Sequence, residues 1–566
     1  MSDNSGSSFF DYVIVGGGSA GCVLANRLSA RGSSQVLLIE AGSDTPPGDE
    51  PADILSAFPI SYSNPEYRWP GLRGHMLTAD DSELRGLAQA RILGGGSAIM
   101  GMMSFRGMPA DYEAWAEMGA AGWDWNGVLP YFRKLESDLD FDGPLHGKDG
   151  PTEIRRIPRR DWPPLSNAAA AFAASRQLPE IGDFNADFRE GHGAIPIAAS
   201  MTRRAAASVC YLTADVRSRR NLTMLTGARA TEMLFEGSRV TGVVVSADGR
   251  ERTVHASEVI LAMGGLLSPQ FLLRQGLGPA AAMRSLDMAP RADLPGVGAN
   301  LQNHAGIGAA AYLRPFARQS RDLPTMRTIC FRYSSGAEGC GEVDMMLAFG
   351  SRSSWHAISD RVAHFGTSIL APKSRGKISL QSPRPSDPVR VEYNLLGDER
   401  DLTRLMSGLA RIAELVASEP VSPLLGRSFP VRQMGVAERF DRRSLSSRAA
   451  TPIVAAAMDL LPGVADRIVG VVGGRGPDLQ DLVQDPSALR SHVRACVLGA
   501  AHHAGACRMG AKDDEMAVVD RYGKVRKVGG LRVIDASIIP TIPRANTNIP
   551  VLMLAEKLSD EMLQGN

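Results

Sequence analysis

The chain has 566 residues, of which 44% are hydrophobic and 22% are charged, with 59 glycines and 35 prolines. This length exceeds what one core needs, so we expect two lobes, and the composition excludes fibrous, disordered and coiled-coil proteins. The formal net charge is +1 without a long lysine or arginine run, which disfavours nucleic acid or an anionic membrane as partner and favours a small molecule.

The first forty residues predict a strand, a helix and a second strand. Asp11–Val15 is a short apolar run rich in β-branched residues, and Gly21–Ser29 carries apolar residues at helical spacing. Gln35–Glu40 is again apolar and predicts a second buried strand. We therefore expect a βαβ unit with a right-handed crossover.

A glycine motif lies at the turn between the first strand and the helix. Gly16, Gly18 and Gly21 have the spacing G-x-G-x-x-G, and Glu40 ends the next strand. Glycines at such a turn let backbone N–H groups approach a pyrophosphate, and the Glu40 carboxylate can bind both ribose hydroxyls. The motif predicts a dinucleotide site, disfavours NADP because of the acid, and leaves NAD and FAD open. A glycine-rich turn that binds nothing is the alternative, which the placement of Glu40 disfavours.

Three later segments are predicted to join this first lobe. Ala90–Gly107 is a second glycine-rich stretch, and Val259–Ala262 is an apolar strand followed by a helix at Ser268–Gln275. Val533–Gly565 predicts a strand, a proline-rich turn and a final helix.

The middle of the chain has a different pattern. Its short predicted strands alternate apolar and polar residues, whereas the strands of the first lobe are continuous apolar runs. Lys377–Leu380 and Val389–Tyr393 are examples, and a helix is predicted over Asp398–Ala417. We expect a second, mainly antiparallel lobe here. The stretch His364–Leu370 could face the first lobe, although His364 itself is interpreted as a solvated loop residue.

Several motifs in this order resemble the glucose–methanol–choline (GMC) oxidoreductases. They are Arg91-Ile-Leu-Gly-Gly-Gly-Ser-Ala98 with Arg106-Gly107, Gly264-Gly-Leu-Leu-Ser-Pro269 with Gly276-Leu-Gly278, His502-His-Ala-Gly-Ala-Cys-Arg-Met-Gly510, and Asp535-Ala-Ser537 through Arg544-Ala-Asn-Thr-Asn548. Within the family the chain is similar to bacterial oxidases of 5-hydroxymethylfurfural and aryl alcohols, on Gly122-Trp-Asp-Trp125, Gly127-Val-Leu-Pro-Tyr131 and Glu392–Leu396.

The resemblance implies FAD as the dinucleotide and an α/β fold with a Rossmann-type FAD-binding domain and a substrate lobe built on an antiparallel sheet. We expect the FAD-binding domain at residues 1–310 and 495–566, and the substrate-binding domain at 311–494. The residues expected to bind FAD are Gly16, Gly18, Ser19, Ala20, Gly21, Glu40, Ala41, Trp69, Arg91, Leu93, Gly95, Gly96, Met100, Ala230, Asp535, Ala536, Asn546 and Thr547.

Three positions depart from the pattern of the family, and one of them is His503, where relatives more often have Pro, Gly or Ala. Some relatives attach FAD to a histidine at the position that matches Ile99, so the resemblance implies noncovalent FAD here. The asparagine common in relatives at the next position is replaced by Met100, which removes one polar contact near the flavin. No metal is expected.

Alcohol oxidation needs a base near the hydroxyl and a hydride acceptor near the adjoining carbon. The resemblance makes His502 the base and Asn546 the amide that donates to the substrate oxygen. A purely structural His-His pair is the alternative, and the flanking motifs disfavour it. The role of His503 stays open, because adjacent side chains on an extended segment point to opposite faces.

We expect oxidation of a primary aryl or furanic alcohol to the aldehyde, with O2 or another acceptor reoxidising the flavin and O2 giving H2O2. One alternative is a dehydrogenase for choline-like or aliphatic alcohols that passes electrons to a quinone, a protein or another acceptor. An FAD-bearing hydroxynitrile lyase is a second alternative, and a flavin-binding module without activity is a third.

The compartment is expected to be the cytoplasm. Six scattered cysteines without a C-x-x-C pair suit a reducing environment and predict neither a zinc site nor a redox dithiol. The leader before the first strand leaves no room for a secretion signal, and no apolar run reaches the length of a membrane span.

Overall fold

The computed structural model describes residues 8–566 apart from 201, 324, 385, 433–440, 442, 443, 462 and 473–476. Its strands form two seven-stranded sheets and three smaller ones. The first large sheet has a parallel Rossmann-type centre, and the second is antiparallel. The predicted α/β fold class is therefore confirmed.

The first sheet is built from both ends of the chain. Ser8–Val15 lies at its centre, parallel to Val36–Ile39 on one side and to Arg250–Leu261 on the other. Leu531–Val533 joins the end of Arg250–Leu261, also in parallel. The remaining strands are Leu222–Leu225 beside Val36–Ile39, and the antiparallel pair Ala228–Glu236 and Arg239–Ala247 at the other edge.

Two helices from opposite ends of the sequence pack against each other beside this sheet. Ser19–Ser29 follows the first strand, and Asn548–Leu563 is the last helix of the chain. Arg27 on the first helix pairs with the buried carboxylate of Glu556 on the last one at 2.6 Å. The C-terminal segment is thus fixed against the predicted βαβ unit.

The second sheet is antiparallel throughout, and the strand at one edge, Gly191–Ala194, comes from well before the other strands in sequence. Its strands in spatial order are Leu425–Pro430, Ala305–Leu313, Val362–Ile369, Met345–Gly350, Ile329–Tyr333 and Gly191–Ala194, with Leu498–Gly499 paired to the start of Ala305–Leu313. Helix Glu399–Ala417 packs on one face through a row of buried leucines. Helices Leu445–Leu460 and Val464–Val472 cover only part of the other face.

The strands predicted near residues 377 and 390 are present, but they do not belong to the second sheet. Lys377–Ser379 and Arg390–Glu392 pair with Arg73–His75 and Leu84–Gly86 in a separate four-stranded sheet. The other small sheets are Glu136–Asp138 with Thr152–Arg155 and Ile197–Ala198, and Leu277–Gly278 with Ala292–Asp293. The predicted domain limits at 310 and 495 stay a prediction.

The remaining described α-helices are short connectors around the two sheets. They are Ala52–Leu55, Gly96–Ile99, Pro109–Glu117, Trp125–Leu135, Pro164–Ser175, Ala207–Tyr211, Ala214–Arg217, Leu267–Arg274, Ala280–Arg284, Leu479–Gln484 and Pro486–Cys496. Within the described part of the chain, every helix is too short or too polar to cross a bilayer.

Candidate active site

A cavity of about 460 Å³ has walls from both large sheets. Val15 and Ile39, at the carboxyl ends of two parallel strands, line one end, and Gly366 and Ser368 of the second sheet line another part. Ligands of open parallel sheets bind at the carboxyl ends of the strands. The fold therefore places the predicted dinucleotide motif and the second lobe on one cavity.

Most residues that the sequence predicts for FAD line this cavity. They are Gly16, Gly18, Ser19, Ala20, Glu40, Ala41, Trp69, Gly95, Gly96, Met100, Ala230, Asp535, Ala536, Asn546 and Thr547. Residues from five separate stretches of the chain, near 16–41, 69, 95–100, 230 and 535–547, therefore meet at one place.

Three predicted residues lie behind this wall. A Cβ on Gly21 would lie 1.9 Å from the Gly16 carbonyl oxygen, so this glycine lets the helix approach the turn. The Arg91 guanidinium donates to the Ala41 carbonyl at 3.1 Å. Leu93 is fully buried in the core. Each of the three supports the cavity without lining it.

Three helices begin at the cavity, and in the described residues no side chain caps any of the three. They are Ser19–Ser29, Gly96–Ile99 and Asn548–Leu563. The first N–H groups of a helix have no partner within it and carry partial positive charge. Gly95, at φ 56° with its ideal Cβ 2.7 Å from the Gly18 Cα, lets two of these turns touch. Such a cradle fits the pyrophosphate of FAD.

Two buried carboxylates hold the backbone of the nucleotide end. Glu40 accepts hydrogen bonds from the backbone N–H of Gly17 at 2.8 Å and of Gly42 at 2.7 Å, and burial raises its pKa. Asp535 accepts from the N–H groups of Gly264 and Ser537. Each Glu40 oxygen keeps a second lone pair for a ribose hydroxyl.

The wall near Ala230 is aromatic and positively charged. The guanidinium groups of Arg91 and Arg229 lie 5.5 Å and 5.6 Å from the ring centroid of Trp69, and Trp69 and Ala230 both line the cavity. The two guanidinium groups hold the indole in place, because an aromatic face attracts cations. A flat ring such as adenine fits against this wall.

Two histidines and a backbone carbonyl form a chain of hydrogen bonds that determines which ring nitrogen of His502 carries the proton. The Pro543 carbonyl can only accept, so the His304 Nε2–H donates to it at 3.2 Å and the Nδ1 of His304 carries a lone pair. That lone pair accepts from the His502 Nδ1–H at 2.8 Å. The Nε2 of His502 is therefore unprotonated, and it lies on the side of the ring toward Asn546.

Asn546 lies on that side. Its Nδ2 donates to His502 Nε2 at 3.1 Å, and both residues line the cavity. The backbone N–H of His502 donates to the Asn303 side chain at 3.0 Å, which fixes the segment that carries the base. A lone pair and an amide donor thus lie side by side, where one hydroxyl group could contact both.

His503 has a different environment. Its ring stacks on Tyr393, whose hydroxyl donates to its Nδ1 at 2.6 Å, and Asn303 lies 3.4 Å from the same nitrogen. Although His503 lines the cavity, these contacts tie its ring to the core. Its contacts favour a role in holding the segment.

Burial keeps these imidazoles neutral. It lowers the pKa of His502 well below the usual value, and the nearby His304 and His503 lower it further. Burial also lowers the pKa of both His304 and His503 to about 4, which nearby backbone carbonyls partly offset. All three imidazoles are therefore neutral at neutral pH.

The second sheet contributes a face of mostly small residues. Met346, Ala348, Gly366 and Ser368 line the cavity from neighbouring strands. His364 lies on the same face of its strand, with both ring nitrogens buried and without a partner among the described residues. The interpretation of His364 as a solvated loop residue was wrong, because the strand begins at Val362 and carries it inward.

Sequence reasoning missed His304, Asn303 and the cavity arginines Arg327 and Arg332. His304 directly precedes strand Ala305–Leu313, and nothing local in its surroundings distinguishes it from a packed histidine. Only its contact with His502, 198 residues away in sequence, reveals its role. Asn303 lies just before the same strand, and the sequence carried no specific signal for it.

The chain matches a family model in two parts. The model described as GMC oxidoreductase matches residues 10–306, and a second model with that description matches residues 372–555. The 5-(hydroxymethyl)furfural oxidase of Methylovorus sp. (strain MP688) is 40% identical, covering 98% of this chain and 99% of that protein. The oxygen-dependent choline dehydrogenase of Photobacterium profundum is 29% identical, covering 98% and 93%.

A solved structure agrees over the full length. Pyridoxine 4-oxidase from Mesorbium loti superimposes with a TM-score of 0.80 at 26% identity, covering 98% of this chain and 99% of that one.

Proposed function

The chain belongs to the GMC oxidoreductases, and from this premise we propose that it oxidises a primary aryl or furanic alcohol to the aldehyde with FAD. The resemblance inferred from the sequence is confirmed at the level of the family. One observation carries the proposed chemistry: the unprotonated Nε2 of His502 accepts from the Asn546 amide at 3.1 Å, and both side chains line the cavity.

His502 takes the hydroxyl proton of the substrate. Its Nε2 accepts the proton, while its Nδ1–H stays with His304, so the charged ring keeps its orientation. Asn546 donates its amide N–H to the substrate oxygen as negative charge develops there. A neutral resting histidine suits this task, because it needs no prior deprotonation.

FAD is the cofactor that these residues would hold, and it supplies the hydride acceptor when bound. The uncapped helix ends and Glu40 would bind its pyrophosphate and ribose, and Trp69 with Ala230 its adenine. We propose noncovalent attachment, because Ile99 is a buried aliphatic residue of the apolar core and has no atom for such a bond.

We propose O2 as the electron acceptor, with H2O2 as its product. The support is the name of the 40% identical relative, an oxidase. A dehydrogenase that reduces a quinone is the second candidate, favoured by the similarity to choline dehydrogenases. The amount of H2O2 formed per aldehyde under air distinguishes the two. We also propose a cytoplasmic location, supported by six cysteines that are all free thiols.

The decisive experiment is anaerobic mixing of the FAD-loaded protein with a panel of alcohols, following flavin absorbance. We expect benzyl and furfuryl alcohols to bleach the flavin, and His502→Ala to slow bleaching by at least about 100-fold, which is typical of a positioned general base. His255→Ala is the matched control, because His255 is half-buried on a strand of the first sheet and does not line the cavity.

Three results would contradict this function. Unchanged reduction kinetics in His502→Ala would remove the assignment of the base. A flavin that no alcohol reduces would remove the oxidation reaction. Release of aldehyde and cyanide from a hydroxynitrile without bleaching would instead support the lyase.

A further inference from the structure

Four arginines line the cavity, and they differ in what their guanidinium groups contact. Arg229 is exposed and lies over the ring of Trp69 at the nucleotide end. Arg332 donates to the backbone carbonyls of Phe184, Asp187 and Arg189. Arg544 forms an ion pair with the buried carboxylate of Asp111. Both of these side chains are therefore used by the protein itself.

Arg327 is the exception. Within the described residues its guanidinium makes no hydrogen bond or ion pair, and its Nε is fully buried without an acceptor. Burial lowers its pKa, and no acid acts in the opposite direction. An arginine side chain still keeps its charge in proteins, and a buried charge without a counterion is costly. Such a charge is best explained by an anion that enters the cavity.

Among the described residues, the neighbours of Arg327 do not supply that anion. His364 is close enough for the charge of Arg327 to act on it, and burial lowers the pKa of His364 to about 3, so this ring is neutral. Gly350 packs against both Met326 and His364, because an ideal Cβ on it would be 2.0 Å from the Met326 carbonyl oxygen and 2.5 Å from the His364 ring. The protein thus closes this corner with a cation and a neutral ring.

This corner lies far from the base along the second sheet. His304 precedes the strand whose Gly306 pairs with Ser368, whereas Arg327 lies at the level of His364. Ser368 and His364 are four residues apart on one strand, which corresponds to about 13 Å. A substrate that bridges the two ends of this strand needs its two binding groups at opposite ends of a ring.

We propose that Arg327 binds a carboxylate on the substrate, and that the preferred substrates are aryl or furanic alcohols with a carboxylate across the ring from the CH2OH group. This inference rests on the proposed function and deepens it. A guanidinium offers two parallel N–H donors that match the two carboxylate oxygens. With one end held at Arg327, the other end of such a ring meets His502 and Asn546.

The kinetic test compares 4-(hydroxymethyl)benzoate with its methyl ester, which has a similar shape but no charge. The wild-type holoenzyme is expected to have at least about tenfold higher kcat/KM for the acid, in line with one charge-assisted contact. Arg327→Gln should lose that preference while changing kcat/KM for the ester less than about threefold. Arg321→Gln, which removes an exposed arginine paired with Asp360, should leave both values unchanged.

A binding test separates this inference from the proposed function. Benzoate should perturb the flavin absorbance of the oxidised wild-type protein at concentrations where benzamide does not, and Arg327→Gln should abolish the difference. If no alcohol reduces the flavin, the proposed oxidation fails, but benzoate binding still decides the role of Arg327. If alcohols reduce it, equal use of acid and ester by wild type, or equal loss of both in Arg327→Gln, overturns the carboxylate site.

If Arg327→Gln does not fold, the carboxylate site is tested with Arg327→Lys, which keeps the charge. Its kcat/KM values for the acid and the ester are then compared with those of the wild type. Retained preference for the acid in Arg327→Lys supports the site. Loss of that preference with the ester unaffected also supports it, because lysine lacks the two parallel donors. Equal loss on both substrates overturns it.

Discussion

At the scale of single residues, the two nitrogens of His502 have different partners, and this asymmetry determines where a proton can be taken up. Nδ1 is paired with His304, whereas Nε2 faces the cavity and accepts from the amide of Asn546. The asymmetry originates in a backbone carbonyl, that of Pro543, which cannot donate. A main-chain group therefore sets the tautomer of the base through a second imidazole.

The role of His304 can be tested by removing its acceptor atom. In His304→Leu the His502 Nδ1–H loses its partner, the ring can bind its proton on Nε2 instead, and we expect flavin reduction to slow by roughly 10- to 100-fold, less than for loss of the base. In His304→Asn a side-chain oxygen can replace the lost nitrogen, so most of the rate should return. Both rates are measured by anaerobic stopped-flow absorbance.

A packing role for His304 predicts a different pattern. It would make the leucine and asparagine variants equally slow, or would raise KM in both with kcat unchanged. Either pattern would contradict the positioning of His502 by His304.

At the scale of elements, a buried cluster of ionised groups supports the loop that brings Met102, Met103 and Phe105 to the cavity. The cluster consists of three carboxylates, two guanidinium groups and one imidazole, which are Glu136, Asp138, Asp183, Arg106, Arg156 and His146. Three of these groups could surround a metal ion by distance. Since the positive side chains already match the carboxylates in number, an ion is not needed for charge balance.

The cluster makes stability depend on pH through His146. Burial alone would lower its pKa, but hydrogen bonds to Asp138, Asp183 and Glu136 outweigh burial and raise it to about 10. The imidazolium therefore stabilises the fold fully below its unfolded pKa of about 6.5, and this contribution is lost as pH rises toward 10. The loss amounts to at most about 1.4 kcal/mol per pH unit.

We expect His146→Gln to lower the free energy of unfolding by about 3 to 5 kcal/mol at pH 6.5, because it leaves buried carboxylates without one counterion. The difference from wild type should shrink between pH 7 and pH 9.5, as measured by urea unfolding followed by tryptophan fluorescence. Glu180→Gln, which breaks an exposed pair with Arg159, is the control and should have little effect at any pH. A difference that does not change with pH would contradict the raised pKa.

The elements also show how far sequence reasoning reached. The βαβ unit was predicted almost to its observed limits, because strand and helix periodicities and the glycine turn are local signals. The pairing of Arg390–Glu392 with Arg73–His75 was not, because partner choice between distant strands leaves no local trace. The same holds for the site: His502 and Asn546 came from motifs, whereas the relay through His304 and the unpaired charge of Arg327 depend on long-range contacts.

At the scale of the whole molecule, the cavity passes from the nucleotide turn of the first sheet to the face of the second. Its walls come from the N-terminal motif, the glycine stretch near residue 95, the second sheet and the C-terminal segment. The two ends of the chain are joined by the pair of Arg27 with Glu556 beside this cavity. A ligand that fills the cavity therefore contacts parts of the chain that are far apart in sequence.

Removing FAD should destabilise both lobes together. A ligand that binds only the folded state at about 1,000 times its Kd contributes about 4 kcal/mol, so the apo protein should unfold at a lower temperature in differential scanning fluorimetry. Added FAD should restore the midpoint fully and ADP only partly, because ADP reaches Trp69 and Glu40 but not His502. NADP+ should have no effect, since the Glu40 carboxylate repels a 2′-phosphate. Equal stabilisation by NAD+ and FAD would contradict this, because it would mean that the flavin half of the ligand makes no contact with the cavity between the sheets.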